Sequence, residues 1–129
     1  MLILYIKRID LKNFRNYKEL DIELGKGVNI FYGQNAQGKT NIIESIYMAS
    51  TGKSHRTQKD MELIRWNSED ARIRIDYQKE EEERIEIYLN KSLKKQIKKK
   101  GIRLFKIGEL IGNLNTVIFS PDHMKIIKE

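Results

Sequence analysis

The sequence predicts an α/β fold in which a mixed sheet stands beside an antiparallel β-subdomain, and three observations lead to it. Stretches of apolar–polar alternation recur along the chain, which is the period of half-buried strands. Residues 42–49 instead place apolar side chains at helical spacing. Between a short apolar run and that helix lies a loop bounded by Gly33 and Gly38. The length of 129 residues suits one domain or a piece of a larger one.

Ile9-Asp10-Leu11-Lys12 and Asp21-Ile22-Glu23-Leu24 alternate, with turn-prone asparagines at 13 and 16 between them, and read as two antiparallel strands. Val28-Asn29-Ile30-Phe31-Tyr32 is apolar and short, a buried strand leading into the loop. In the helix that follows, Ile42, Ile43, Ile46, Tyr47 and Ala49 share a face, while Asn41, Glu44 and Ser45 are expected to point elsewhere. Gly52 ends it. A polar loop over 53–57 and a helical turn over 60–64 come next. Arg72–Tyr77 and Arg84–Leu89 are clear alternating strands, and Leu93–Lys100 is a weaker third. Phe105, Ile107, Leu110 and Ile111 suggest a short helix, and Thr116–Phe119 another strand. Pro121 starts a final helix that has barely begun at Glu129, so the chain reads as a fragment.

A net charge of +7 and a pI near 9.5 favour a polyanionic partner. The absence of cysteine excludes disulfides and thiolate metal sites. The apolar N-terminal run turns charged at Lys7, too soon for a signal peptide or a membrane span, which makes a cytoplasmic location the default.

Gly33-Gln34-Asn35-Ala36-Gln37-Gly38-Lys39-Thr40 fits the phosphate-loop pattern G-x-x-x-x-G-K-[ST] at every fixed position. Each position has its own physical reason. Glycines let backbone N–H groups turn inward around phosphates. Lys39 brings a point charge to the terminal phosphates, and Thr40 offers a hydroxyl to magnesium. The helix beginning there aims its positive end at the same anion. ATP and Mg2+ are the cofactors so implied. Hydrolysis needs an acidic residue at a strand end as well. The nearest candidate, Val117–Asp122, is a poor one, and Asp122 reads as a helix-start residue. The chain is expected to bind nucleotide better than it hydrolyses it.

Four stretches, Phe14-Arg15-Asn16-Tyr17, Asn35–Asn41, Gly52-Lys53-Ser54-His55-Arg56-Thr57 and Phe119-Ser120-Pro121-Asp122, together resemble the RecF family of bacterial recombination proteins, in that family's order and spacing. The resemblance covers essentially the whole chain. It implies that residues 1–129 are the amino-terminal part of an ABC-type ATPase head, with the signature motif, the acidic pair and the lever-arm insertion beyond Glu129. It implies ATP-dependent homodimerisation of heads, non-specific binding of gapped, single-stranded or junction DNA, and hand-over to RecR in recombinational repair and the SOS response. It further implies that Arg15 reaches back toward the nucleotide phosphates, and that Lys53, His55 and Arg56 form a basic loop touching DNA or the partner head's nucleotide.

Glu80–Glu83 precede a run of cations from Lys91 to Lys106 that contains no acidic residue. A solvated hairpin, with lysines on an exposed strand edge, explains it, and Lys98, Lys99 and Lys100 are the candidates for phosphate contacts. Two alternatives stay open. One is a docking module for RecR or DNA that needs no nucleotide. The other is an ABC ATPase subunit unrelated to DNA, such as a transporter's.

Overall fold

The cross-strand register of the isoleucines explains the architecture. The computed structural model describes residues 5–24, 29–30, 36–110 and 126–127. Six strands form one sheet in the order β2-β1-β4-β5-β6-β7, with β1 at Tyr5–Phe14, β2 at Tyr17–Glu23, β4 at Asp70–Gln78, β5 at Glu82–Asn90, β6 at Gln96–Lys99 and β7 at Ile102–Leu104. Every pairing in it is antiparallel. Ile9, Ile75 and Ile85 lie side by side across three strands, and Leu11, Ile73, Ile87 and Ile97 form the next row. These rows are buried and pack with Ile42, Ile46, Met48 and Ala49 of helix α1, Ala36–Thr51. Alternation along each strand puts the charges on the opposite face, where they also pair across strands: Asp10–Arg74–Glu86 in one row, Arg8–Asp76–Arg84 in another. Arg84 Nε donates to Asp76 Oδ1 at 2.6 Å and Arg74 Nε to Glu86 Oε2 at 3.2 Å.

The two-residue turn Arg15–Asn16 joins β1 to β2, and Asn13 and Arg15 take positive φ angles of 51° and 54° to make it. The hairpin tip is fastened to the following segment. The Arg15 N–H donates to the Leu63 carbonyl and the Arg65 N–H to the Asn13 carbonyl, both at 2.8 Å. Buried Phe14 bridges Ile64 between them. A 3-10 turn at Asp60–Leu63 fulfils the predicted helical turn, and another at Ile107–Glu109 falls within the predicted short helix. Gly52, at φ 83°, closes α1 with its N–H on the Met48 carbonyl.

Two expectations change, and one strand is added. Asn41, Glu44 and Ser45, expected to point away from the apolar stripe, are themselves buried, at 4%, 0% and 0% exposed. Helix α1 lies between the sheet and the segment carrying Ser54 and Arg56, so both its sides are covered. Ile126–Ile127, assigned to a final helix, is a strand, β8, pairing antiparallel with β3 at Asn29–Ile30. Two β-branched residues suit that ladder better than a helix. Strand β7 went unforeseen because three residues give too little alternation to read. Its presence also means that the lysines of β6 are not at the sheet edge. The expected strand at 116–119 and the expected helix start at Pro121 lie outside the described residues.

Ile75→Ala, at the centre of the buried rows, should lower unfolding free energy by about 2–5 kcal/mol; a lower urea midpoint at unchanged slope checks this. A second expectation concerns acid. Burial raises the Glu86 carboxyl, but the Tyr88 hydroxyl and Arg74 outweigh it and leave its pKa below the ordinary value. Its contribution is therefore present above the unfolded-state value, about 4.3, and lost as pH falls through the folded one. Glu86→Gln should flatten the fall in urea midpoint below about pH 4.3.

Candidate functional site

Glu44 sits one helical turn beyond Thr40 on α1 and has no exposure to water. All four acceptor positions of its carboxylate are filled. Oε1 accepts from Arg15 Nε at 2.8 Å and Arg56 Nη1 at 3.2 Å; Oε2 accepts from Arg15 Nη2 at 2.8 Å and Ser54 Oγ at 2.5 Å. Arg56 Nη1 also donates to Asn41 Oδ1 at 2.8 Å, and Asn41 Nδ2 donates to Asn16 Oδ1 at 2.6 Å. The β1–β2 turn, the first turns of α1 and the loop after Gly52 are thereby joined by one polar network. Ser54 Oγ tightens that loop by accepting from the N–H groups of Arg56 and Thr57 at 2.9 and 3.2 Å.

Burial alone would push the Glu44 carboxyl up. Hydrogen bonds from Arg15 and Ser54, with the charges of Arg15 and Arg56, outweigh it and hold Glu44 below the ordinary carboxylate value. The same bond to Glu44 raises Arg15. His55 packs edge-on against Tyr47, with ring centroids 5.2 Å apart. Burial there lowers its pKa, Glu44 opposes that, and the neighbouring arginines add to it.

An open cleft of 1010 Å³ lies on the outer side of the network, lined by Arg15, Asn16, Asn41, Arg56, Arg65 and Trp66 among others. It combines guanidinium donors for an anion with amide groups and a broad aromatic face. Trp66 is 84% exposed, which leaves its ring open to stacking.

The structure brings Arg15 and Arg56 together around one carboxylate, with Thr40 one turn away on the same helix. The helical backbone starts at Ala36, inside the phosphate-loop pattern, so Ala36, Gln37, Gly38 and Lys39 belong to the first turn of α1. Gly33, Gln34 and Asn35 lie outside the described residues. Thr40 is half-buried. Arg15 points its guanidinium at Glu44 and at the Glu62 carbonyl, 3.3 Å away. Arg56 turns its guanidinium inward to Asn41 and Glu44, although the residue as a whole is exposed on the loop, as Lys53 and His55 are. Sequence reasoning missed Glu44, Asn41, Asn16 and Trp66. The signal for Glu44 was a lone carboxylate four positions after Thr40 amid isoleucines; for Trp66 it was a single tryptophan among polar residues.

The lysine run sits elsewhere. Lys99 Nζ is 3.7 Å from Glu83, Lys100 pairs with Glu81 and lies 3.8 Å from Glu83, and Lys98 Nζ stands 5.4 Å from the centre of the Tyr88 ring. The glutamate and lysine runs thus meet across β5 and β6, as the solvated-hairpin reading expects. No described helix is long and apolar enough to cross a membrane.

A family model described as an AAA domain matches residues 8–128. The DNA replication and repair protein RecF of Clostridium tetani (strain Massachusetts / E88) is 54% identical over 127 residues, and that of Clostridium novyi (strain NT) 51%. Each alignment covers 98% of this chain and 35% of the relative, so the chain spans about a third of their length. Among solved structures, the recombination mediator protein RecF-ATP in the RecFOR pathway superimposes with a TM-score of 0.86 at 38% identity, over 95% of this chain and 34% of the other. An SMC ATPase studied for ATP-driven dimerization and DNA-stimulated activation gives 0.71 at 25% identity, over 83% and 75%. The fold is accordingly that of a P-loop ATPase head of the ABC type. The chain belongs to the AAA domain family, and its kin within that family are the RecF proteins.

Proposed function

We propose that this chain binds Mg-ATP as the nucleotide-binding part of a RecF-type DNA-repair ATPase. The observation that carries the reading is the complete phosphate-loop pattern, Gly33 to Thr40, running into the first turn of α1. The first N–H groups of a helix have no carbonyl partner within it and form a ready anion site. The residues present fit a triphosphate and its magnesium. The loop amides of 33–38 and Lys39 would hold the phosphates, and Thr40 the metal. Magnesium, when bound, neutralises charge on the phosphate oxygens. Arg15 and Arg56 supply further positive charge at the cleft, and Trp66 a surface on which a base can stack.

In the whole protein, ATP binding would drive head dimerisation and DNA binding at gaps, leading to RecR-dependent loading of recombinase. The relatives' descriptions as replication and repair proteins, and the RecFOR and SMC structures, support this reading. They also make it stronger than that of a transporter subunit. For DNA contacts the geometry favours Lys53 over Lys99 and Lys100, because carboxylates already partner the latter two.

A docking role has one observation in its favour. A groove of 470 Å³ is lined by Leu93, Ile97, Leu104, Phe105 and several lysines, and Leu93 and Phe105 are 68% and 78% exposed. A partner bound there would associate without nucleotide.

Calorimetric titration of Mg-ATP should show one site, and Lys39→Ala should abolish binding. Equal binding by the variant would refute the phosphate-loop reading. Affinity for duplex or single-stranded DNA should fall with added salt, roughly 40-fold from 50 to 200 mM for about three phosphate contacts. A salt-independent constant would remove the electrostatic reading of the basic surface.

A further inference from the structure

The Glu44 network has a feature that the nucleotide reading does not use. Arg15 and Arg56 come from segments far apart in sequence, the β1–β2 turn and the loop after Gly52, yet both dock on one carboxylate with no exposure to water. A guanidinium carries five N–H donors. Arg15 gives two to Glu44 and one to the Glu62 carbonyl; Arg56 Nη1 serves Asn41 and Glu44. The side chains remain 21% and 33% exposed, and both line the cleft. A phosphate cannot draw both arginines off Glu44 without leaving a buried charge unanswered. They therefore meet a ligand in place, with part of each donor fork already committed and the rest facing the cleft.

We propose that Glu44 is a positioning residue of the nucleotide cleft, which sets the affinity for Mg-ATP by holding Arg15 and Arg56 as fixed donors. It touches no ligand itself. Its charge also offsets one of the two arginine charges, so the cleft's attraction for an anion depends on where the guanidiniums stand more than on how many there are. Glutamine at this position keeps the size but loses the charge, and its amide nitrogen cannot accept from an arginine.

The inference rests on the nucleotide reading, and the test separates them. Mg-ATP is titrated calorimetrically into the full-length protein and its variants, with thermal melting and circular dichroism recorded for each. If Lys39→Ala leaves binding intact, the nucleotide reading itself fails, and this inference with it. If Lys39→Ala abolishes binding, Glu44→Gln should weaken Mg-ATP by about tenfold to a hundredfold, the value of one or two lost charged hydrogen bonds. A folded Glu44→Gln that binds as tightly as the parent overturns the proposal. Should Glu44→Gln fail to fold, Arg56→Lys decides. Lysine keeps the charge but not the fork that reaches Asn41 and Glu44 together, and in a variant that still melts cooperatively it should weaken binding severalfold. Parental affinity for that variant overturns the proposal. A merely structural Glu44 is distinguished by non-additivity. With both arginines already replaced by lysine, Glu44→Gln should add almost nothing to the loss, and a further tenfold loss there would overturn the proposal.

Discussion

A carboxylate shut away from water has to have its lone pairs answered from within the protein, and around Glu44 that demand organises everything near the head of α1. Two guanidiniums and a hydroxyl answer it, brought from the hairpin turn and from the loop after Gly52. Removing one partner of a buried pair costs about 3–5 kcal/mol in typical cases, because the other charge is stranded. The core and the backbone bonds at the hairpin tip bring these segments to the helix, and the buried carboxylate fixes how their polar side chains lie. Where the core sets the sheet, Glu44 sets the site.

The sheet and the network divide the work. The cross-strand isoleucine rows and the Phe14–Ile64 bridge fix the hairpin to a rigid body, and backbone bonds from Arg15 and Arg65 lock its tip. Only then can a turn residue with a positive φ direct its side chain at one carboxylate. Rigid elements thus deliver Arg15 and Arg56 to the cleft at low entropic cost to any ligand. The charged outer face of the sheet, meanwhile, has no part in the cleft.

Much of the fold was legible because its signals are periodic. Strands β1, β2, β4 and β5 alternate over several residues each, and the helix carries its apolar stripe. Strand β3 fell within the short apolar run read as a strand, but β7 and β8 were harder, since two or three residues show no period. The phosphate loop could be read from its pattern because there the local sequence is the chemistry. Glu44 could not. Amphipathic reasoning assumes one solvated face, and a helix covered on both sides breaks that assumption, so its polar residues looked like surface. The inward turn of Arg56 was hidden for the same reason: loop charges are assumed to face water until a buried acid calls them in.

The alternating charges on the outer face of the sheet act as a check on assembly. In the native register Arg74 faces Glu86 and Asp76 faces Arg84. A slip of β5 by two residues keeps every apolar side chain on the correct face, so burial alone hardly penalises it. One direction of slip sets Arg74 against Arg84 and Asp76 against Glu82; the other sets Asp76 against Glu86. Like charges directly opposite are unfavourable. The outer face thus rejects the misalignments that the inner face would tolerate, and concentrated salt would blunt that proofreading while the chain folds.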